Sequence, residues 1–285
     1  MSEIDISVPI TGPGSQPVED DGVELDILQM PSGMETYVTP ILPEPEEVED
    51  LKEAKTLLSS LIRDMQEYRV GMPNLQLPLD SLDTDNLELI DQVLGEGEVS
   101  IVVDADVEVR IQESVLAGIW RIKYLDAGKL LRDQVEVGDI PNLIKHNAFT
   151  DAKARIDVAD EAISEGVLNA PPLIAEINDK IAAFRKNDEA HVINLTLLPQ
   201  TEADLHFLSD QLGTGTVTIL SRGYGNCRIT STATKLVWWV QYFNSQDKNI
   251  LNTLEISQVP VVACAAQEDI EDSHKRLLEI LDTYL

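Results

Sequence analysis

Leu94-Gly95-Glu96-Gly97-Glu98-Val99-Ser100-Ile101 returns 118 residues later as Leu212-Gly213-Thr214-Gly215-Thr216-Val217-Thr218-Ile219. The same offset relates Leu87 to Leu205, Arg110-Ile111 to Arg228-Ile229, Trp120 to Trp238 and Tyr124 to Tyr242. After one inserted residue it becomes 119, so Val135-Glu136-Val137 aligns with Leu254-Glu255-Ile256 and Pro141 with Pro260. Self-similarity at a fixed spacing means one structural unit used twice. It predicts a pseudo-twofold object and argues against a single catalytic pocket built from unique residues.

Working outward from the first copy, residues 85–94 read as a helix with Leu87, Ile90, Val93 and Leu94 on one side. Strands follow. Val99, Ile101 and Val103 share one face; Val107, Val109 and Ile111 alternate with Glu108, Arg110 and Gln112; Trp120, Ile122 and Tyr124 alternate with Arg121 and Lys123. Residues 131–137 close this meander before Gly138 and Pro141. Upstream, a helix from about residue 46 to Gly71 and Pro73 precedes a strand at 75–79, and residues 142–165 read as helical. The second copy repeats the order. Pro171 and Pro172 precede a helix to about residue 186, a strand covers 191–198, and Thr201 to Asp204 forms a capping box. The helix it opens ends at Leu212, a meander covers 216–262, and a last helix covers 268–283. Strands adjacent in sequence favour antiparallel pairing. The expected fold is α+β: two tandem similar units, each a mostly antiparallel sheet covered by helices. Their bounds are 46–168 and 169–285, after a segment 1–45 that is largely disordered or extended.

That segment rests on composition. Residues 1–50 hold 13 Asp or Glu, no Lys or Arg, and seven of the fourteen prolines. Such a stretch buries too little apolar surface to offset its ordering entropy. Its short apolar island at 23–30 is suited to docking on a partner or on the body. Over the whole chain, 51 acids against 21 Lys and Arg give a net charge of −30. That balance repels nucleic acid and anionic membranes and steers cationic partners. No 18-residue apolar run is present, so no membrane insertion is expected. Two cysteines, Cys227 and Cys264, make no disulfide framework and suggest a reducing, cytoplasmic setting.

Reactive constellations are few. Gly95-Glu96-Gly97 and Gly213-Thr214-Gly215 follow helix C-termini, the reverse of a phosphate-cradling loop. The residues favour a capping role, with a partner-binding loop as the other reading. Gly223-Tyr224-Gly225-Asn226 is hairpin chemistry. The histidines and cysteines lack metal-ligand spacing, no Gly-x-Ser-x-Gly occurs, and no catalytic residue, metal or cofactor is expected. Trp239 lies on the face of its strand opposite Trp238, either as an exposed interface anchor or buried under a helix or against the other unit.

Residues 94–100 with the strand ending near Trp120 resemble the HupH/HyaF hydrogenase expression/formation family. So do Ile193-Asn194-Leu195-Thr196, Glu202-Ala203-Asp204, the N-terminal Gly12-Pro13-Gly14-Ser15-Gln16-Pro17, and the ending from Pro260 through Asp269 to Arg276-Leu277. The resemblance implies a non-enzymatic accessory chaperone or scaffold for an uptake [NiFe] hydrogenase. It would bind the iron–sulfur small-subunit precursor before twin-arginine export, alongside a thioredoxin-like maturation protein. The alternative is an assembly factor that transiently carries iron or an iron–sulfur species. Candidate partner-binding or motif residues are Gly12, Pro13, Gly14, Gly95, Glu96, Gly97, Gly213, Gly215 and Trp239.

Overall fold

A computed structural model of the chain describes residues 42–159, 163–185, 188–222 and 226–284. A 3-10 turn at Pro45–Val48 leads into α1 (Lys52–Glu67). Then come β1 (Leu75–Pro78), α2 (Thr84–Leu94), β2 (Val99–Val103), β3 (Glu108–Glu113), β4 (Ile119–Asp126), β5 (Lys129–Val137) and α3 (Asn142–Asn147). The second copy supplies α4 (Ala170–Ala183), β6 (His191–Asn194), α5 (Glu202–Leu212), β7 (Thr214–Ser221), β8 (Asn226–Thr232), β9 (Val237–Phe243), β10 (Asn249–Ile256) and α6 (Gln267–Tyr284). The α+β class and the two tandem units expected from the sequence are what is found.

The two units share one antiparallel sheet with the order β1-β5-β4-β3-β2-β7-β8-β9-β10-β6. That order is a palindrome of the repeat. At its centre β2 pairs with β7, and Ile101 faces Ile219, its own equivalent. Val99 faces Ser221 and Val103 faces Val217, each the equivalent of the other's partner. A local twofold axis therefore passes between Ile101 and Ile219.

Helices lie on both faces of the sheet, and β2 at its centre is buried at every position. On one face α1, α2 and α6 close a core with Ile119, Val135 and Val137. On the same face α4 and α5 close another with Val237, Trp239 and Leu254. The opposite face carries Ile101, Ile111, Trp120, Ile219, Ile229 and Trp238. It is covered by α3 and by residues around Val259 and Ala263, with Phe149 edge-on to Trp238 at 5.0 Å between ring centres.

The C-terminal stretches are exchanged between units. α6, the end of the second copy, seals the first copy's helical core through Ile270, Leu277 and Leu281. Reciprocally, Ile156 and Val158 from the first copy pack into the second copy's core. Ile156 is pinned there by two bonds to the Asn178 side chain on α4.

Three sequence expectations are corrected. Residues 142–165 were expected to be helical, but only Asn142–Asn147 are, within the described residues. Lys153 instead forms a parallel bridge to Thr234, and the exchange draws the chain out of helical geometry. Pro171 and Pro172 lie inside the first turn of α4, where missing N–H groups cost nothing. The strand at 191 stops at Asn194, whose side chain caps a 3-10 turn by accepting from the Leu197 amide. The expectation for residues 1–41, including Gly12, Pro13 and Gly14, lies outside the described residues.

Candidate interaction surface

The strand registers align side chains on the helix-bearing face into two rows. One runs Lys123, Arg110, Val102, Thr218, Thr230, Trp239. The other runs Arg121, Gln112, Ser100, Leu220, Arg228, Gln241. The twofold axis maps one row onto the other, so Arg110 and Arg228 sit diagonally across the centre. The twelve positions hold four cations, and acids stand beside three of them: Asp133 continues the first row next to Lys123 and bonds Arg121, and Glu108 bonds Arg110.

The row ends lie under helices. Arg121 is bonded to Asp133 on β5 at 2.5 Å and to Asp91 on α2. Trp239, 6% exposed, packs in the α4–α5 core and donates from Nε1 to Asn252. The helices α4 and α5 cover it, the burial that one of the two sequence readings expected. Between these ends, the two helical cores draw their sheet residues from β4 and β5 and from β6, β9 and β10, not from the four central strands. Val102 and Leu220 are 6% and 8% exposed, yet belong to none of the three hydrophobic clusters.

Arg110 bonds through Nε to Glu108 at 2.5 Å, its side chain 44% exposed. At the equivalent place in the second copy, Asn226 replaces Glu108 and Phe243 replaces Leu125. The Arg228 guanidinium lies 5.4 Å from the Phe243 ring centre. Arg222, Asn226, Arg228, Phe243 and Asp247 line a cavity of about 410 Å³ at this end of the strip.

The glycines do backbone work. Gly95 and Gly213 have φ of 52° and 65°, a region open to glycine and costly for other residues. Gly97 and Gly215 press against the ends of β3 and β8. A Cβ on Gly97 would fall inside the Ser114 carbonyl oxygen, and one on Gly215 inside the Ser231 hydroxyl. Glu96, between the two glycines of the first copy, is partly exposed.

Sequence reasoning missed two buried polar features. Glu113, 8% exposed, is pushed up to about 7 by burial, with Glu98 and Asp269 adding to the rise and the Gly118 amide opposing it. A network joins Tyr68, Asp139, Lys145, Asn74 and Glu136. Lys145 Nζ donates to Asp139 and Asn74, and Asn74 and the Asn142 amide donate to Glu136, all within 2.5–2.8 Å. Alternation along β5 marks Glu136 as facing away from Val135 and Val137. No local signal says that the second face is covered too.

Cys227 is buried and Cys264 partly buried, both against the sheet face opposite the long helices. Burial pushes each thiol up to about 12, which holds it protonated. Metal ligation and thiol chemistry need the thiolate. Among the described residues no three His, Cys, Asp or Glu side chains group as a metal ion requires. No described helix is long and apolar enough to cross a membrane.

Fold and surface together define a tandem-repeat α+β protein whose two units share one sheet about a local twofold axis between β2 and β7. The family described as HupH hydrogenase expression protein, C-terminal conserved region, matches the chain twice, over residues 51–163 and 167–284. The chain belongs to this family. It is 45% identical to hydrogenase expression/formation protein HoxQ of Cupriavidus necator, over 99% of this chain and 98% of that one. It is 46% identical to HupH of Rhodobacter capsulatus (95% and 94% covered), and 33% identical to hydrogenase-1 operon protein HyaF of Escherichia coli (95% and 94% covered). Among solved structures, hydrogenase expression protein HupH from Thiobacillus denitrificans matches with a TM-score of 0.37 and 30% identity, covering 39% of this chain and 92% of that one.

Proposed function

We propose that this chain serves hydrogenase maturation as a binding protein, not as an enzyme. It holds the iron–sulfur small-subunit precursor in the cytoplasm before twin-arginine export, alongside a thioredoxin-like maturation protein. The names borne by its relatives support the maturation role. The observation that supports the choice of client is charge. The net charge is −30, and exposed acids such as Glu88, Asp91, Asp272 and Glu279 stud the helices of the first unit's core. A leader carrying paired arginines is the part of a precursor that such a surface attracts.

The test is binding of the purified full chain to small-subunit precursor with and without its leader, over a salt series. The leader-bearing form should bind more tightly, and its affinity should fall about tenfold or more between ~0.05 and ~0.5 M salt, as exposed charge pairs are screened. Equal affinity for the leaderless form, or affinity indifferent to salt, would overturn the proposal.

A further inference from the structure

Glu136 on β5 and Glu255 on β10 are equivalent residues of the two copies. Each stands across from a tryptophan of the core opposite the long helices, Trp120 for one and Trp238 for the other. Glu136 is fully satisfied. It accepts from the Asn74 side chain at 2.6 Å, the Gln76 side chain at 2.9 Å and the Asn142 amide at 2.6 Å. In the second copy those three places are held by Ala190, Val192 and Val261. Both carboxamide donors are gone, and Val192 and Val261 are 50% and 79% exposed. The Tyr242 hydroxyl beside Glu255 pairs with Cys227 instead. Among the described residues no hydrogen bond reaches the half-buried Glu255 carboxyl, and burial pushes it above the usual carboxylate range.

The two edges of the sheet, β1 and β6, diverge in the same sense. Ser257 donates its N–H to the Leu236 carbonyl on the β9 side. Alternation along β10 therefore turns Leu254 and Ile256 toward β6, where they meet Ile193 and His191. The N–H groups of Val192 and Asn194 then point out of the sheet. At the other edge Leu79 donates to the Asp133 carbonyl, which leaves Gln76 and Pro78 as the outward positions. Pro78 has no N–H to offer, one of the ways a natural edge is blunted against pairing. Its equivalent, Asn194, keeps one.

We propose that β6 accepts an extended segment of a partner protein as an added strand, and that a Lys or Arg of that segment lies over Val192 and pairs with Glu255. A residue opposite Val192 on the added strand shares its face. Glu255 is then two strand spacings away, about 10 Å between backbones. An arginine and a glutamate span that gap together, with the aliphatic stem of the cation laid on the exposed valine. Charge selects the occupant. The missing partner is a donor, and Glu176, Asp188 and Glu189 add negative charge on the approach to β6. The chain's own first 51 residues contain no Lys or Arg. The β6 strand of a second copy would bring only Val192 and Asn194 to this face. A basic segment of another protein supplies what both lack. This inference rests on the reading of the chain as a binding protein, and adds a place and a chemistry for one contact.

The probe is a rhodamine-labelled peptide, Ser-Thr-Val-Arg-Val-Thr-Ser, titrated with the full chain and read by fluorescence anisotropy. It should bind, and amide hydrogen exchange at residues 191–194 should slow in its presence. Exchanging its Arg for Gln should weaken binding about tenfold, as expected for a hydrogen bond between charged groups. Glu255→Gln should do the same. So should Val192→Gln, whose carboxamide fills the place as Gln76 does in the first copy. Glu279→Gln removes an equal charge from α6 and should leave the affinity unchanged. Thermal unfolding checks the folding of each variant, and the peptide exchange needs no variant. Absence of binding, or equal affinity for the two peptides, would overturn the proposal. A loss in Glu279→Gln equal to that in Glu255→Gln would overturn it too, assigning the affinity to net charge. Protection of 191–194 that follows chain concentration without peptide would also overturn it, assigning the edge to a second copy. Because the probe contains no precursor, any of these results leaves the choice of client to its own salt series.

Discussion

At the scale of single residues, Glu113 marks where the duplication diverged. Its equivalent, Ser231, is fully buried and its hydroxyl accepts from the Val217 amide. Glu113 occupies the same corner with a carboxyl that burial pushes up to about 7, near Glu98 and Asp269. A carboxyl whose folded pKa lies above its unfolded 4.5 favours the fold when protonated. Its contribution is fully present below about pH 4.5 and is lost as pH rises to about 7. Glu113→Gln keeps an acceptor for the Gly118 amide and removes the buried charge. The variant should match wild type near pH 4.5 and exceed it at pH 8 by up to about 3 kcal/mol, since each tenfold change in proton affinity on folding is worth ~1.4 kcal/mol. Urea unfolding at several pH values measures this; a variant less stable than wild type at pH 8 would show that the carboxylate, not the acid, is the native form. The two equivalent tryptophans diverge similarly. Trp120 Nε1 donates to the Gly138 carbonyl at 2.8 Å, while among the described residues Trp238 Nε1, equally buried, has no acceptor.

At the scale of elements, the helix-to-strand connection is the part of the repeat under the tightest geometric constraint. It was also the most legible part of the chain. Each copy needs a positive φ to leave the helix and then a residue without Cβ to lie against the end of the neighbouring strand. Gly97→Ala and Gly215→Ala should each cost about 1–3 kcal/mol, the range for a side chain forced into closed space. Gly128→Ala has open space and should pay only for its φ of 80°, about 1 kcal/mol. Denaturant midpoints for the three variants check the order. Alternation in β3, β4 and β9 and the Thr201 capping box were equally readable, because each is a local pattern. What escaped is non-local. Residues 148–158 have a helical composition, but they are held by Ala233, Thr234 and Asn178, all contributed by the other unit. The surroundings of Trp239 are set by α4 and α5, which lie far from it in sequence and cover its face. The cationic strip exists only in the register of six strands, and no window of sequence contains Arg110, Val102, Leu220 and Arg228 together.

At the scale of the whole molecule, two features make the halves interdependent. The β2–β7 pair turns what would be two open sheet edges into one continuous sheet, and an exposed edge invites pairing with another chain. The exchanged C-terminal stretches make each helical core depend on side chains from the other half: Ile270, Leu277 and Leu281 on one side, Ile156 and Val158 on the other. A chain divided between Glu165 and Gly166 therefore yields halves that each lack both an edge partner and part of a core. Produced alone, each half should aggregate or form a homodimer, since the local twofold at Ile101 and Ile219 is the symmetry of a swapped dimer. Produced together, the halves should form a 1:1 complex that elutes like the intact chain. Size-exclusion chromatography with mass determination distinguishes these outcomes. A monomeric half with cooperative unfolding of its own would show that the exchange is an ornament on two self-sufficient domains. A 1:1 complex from halves that fail alone would place the stability of the fold at the twofold seam between Ile101 and Ile219.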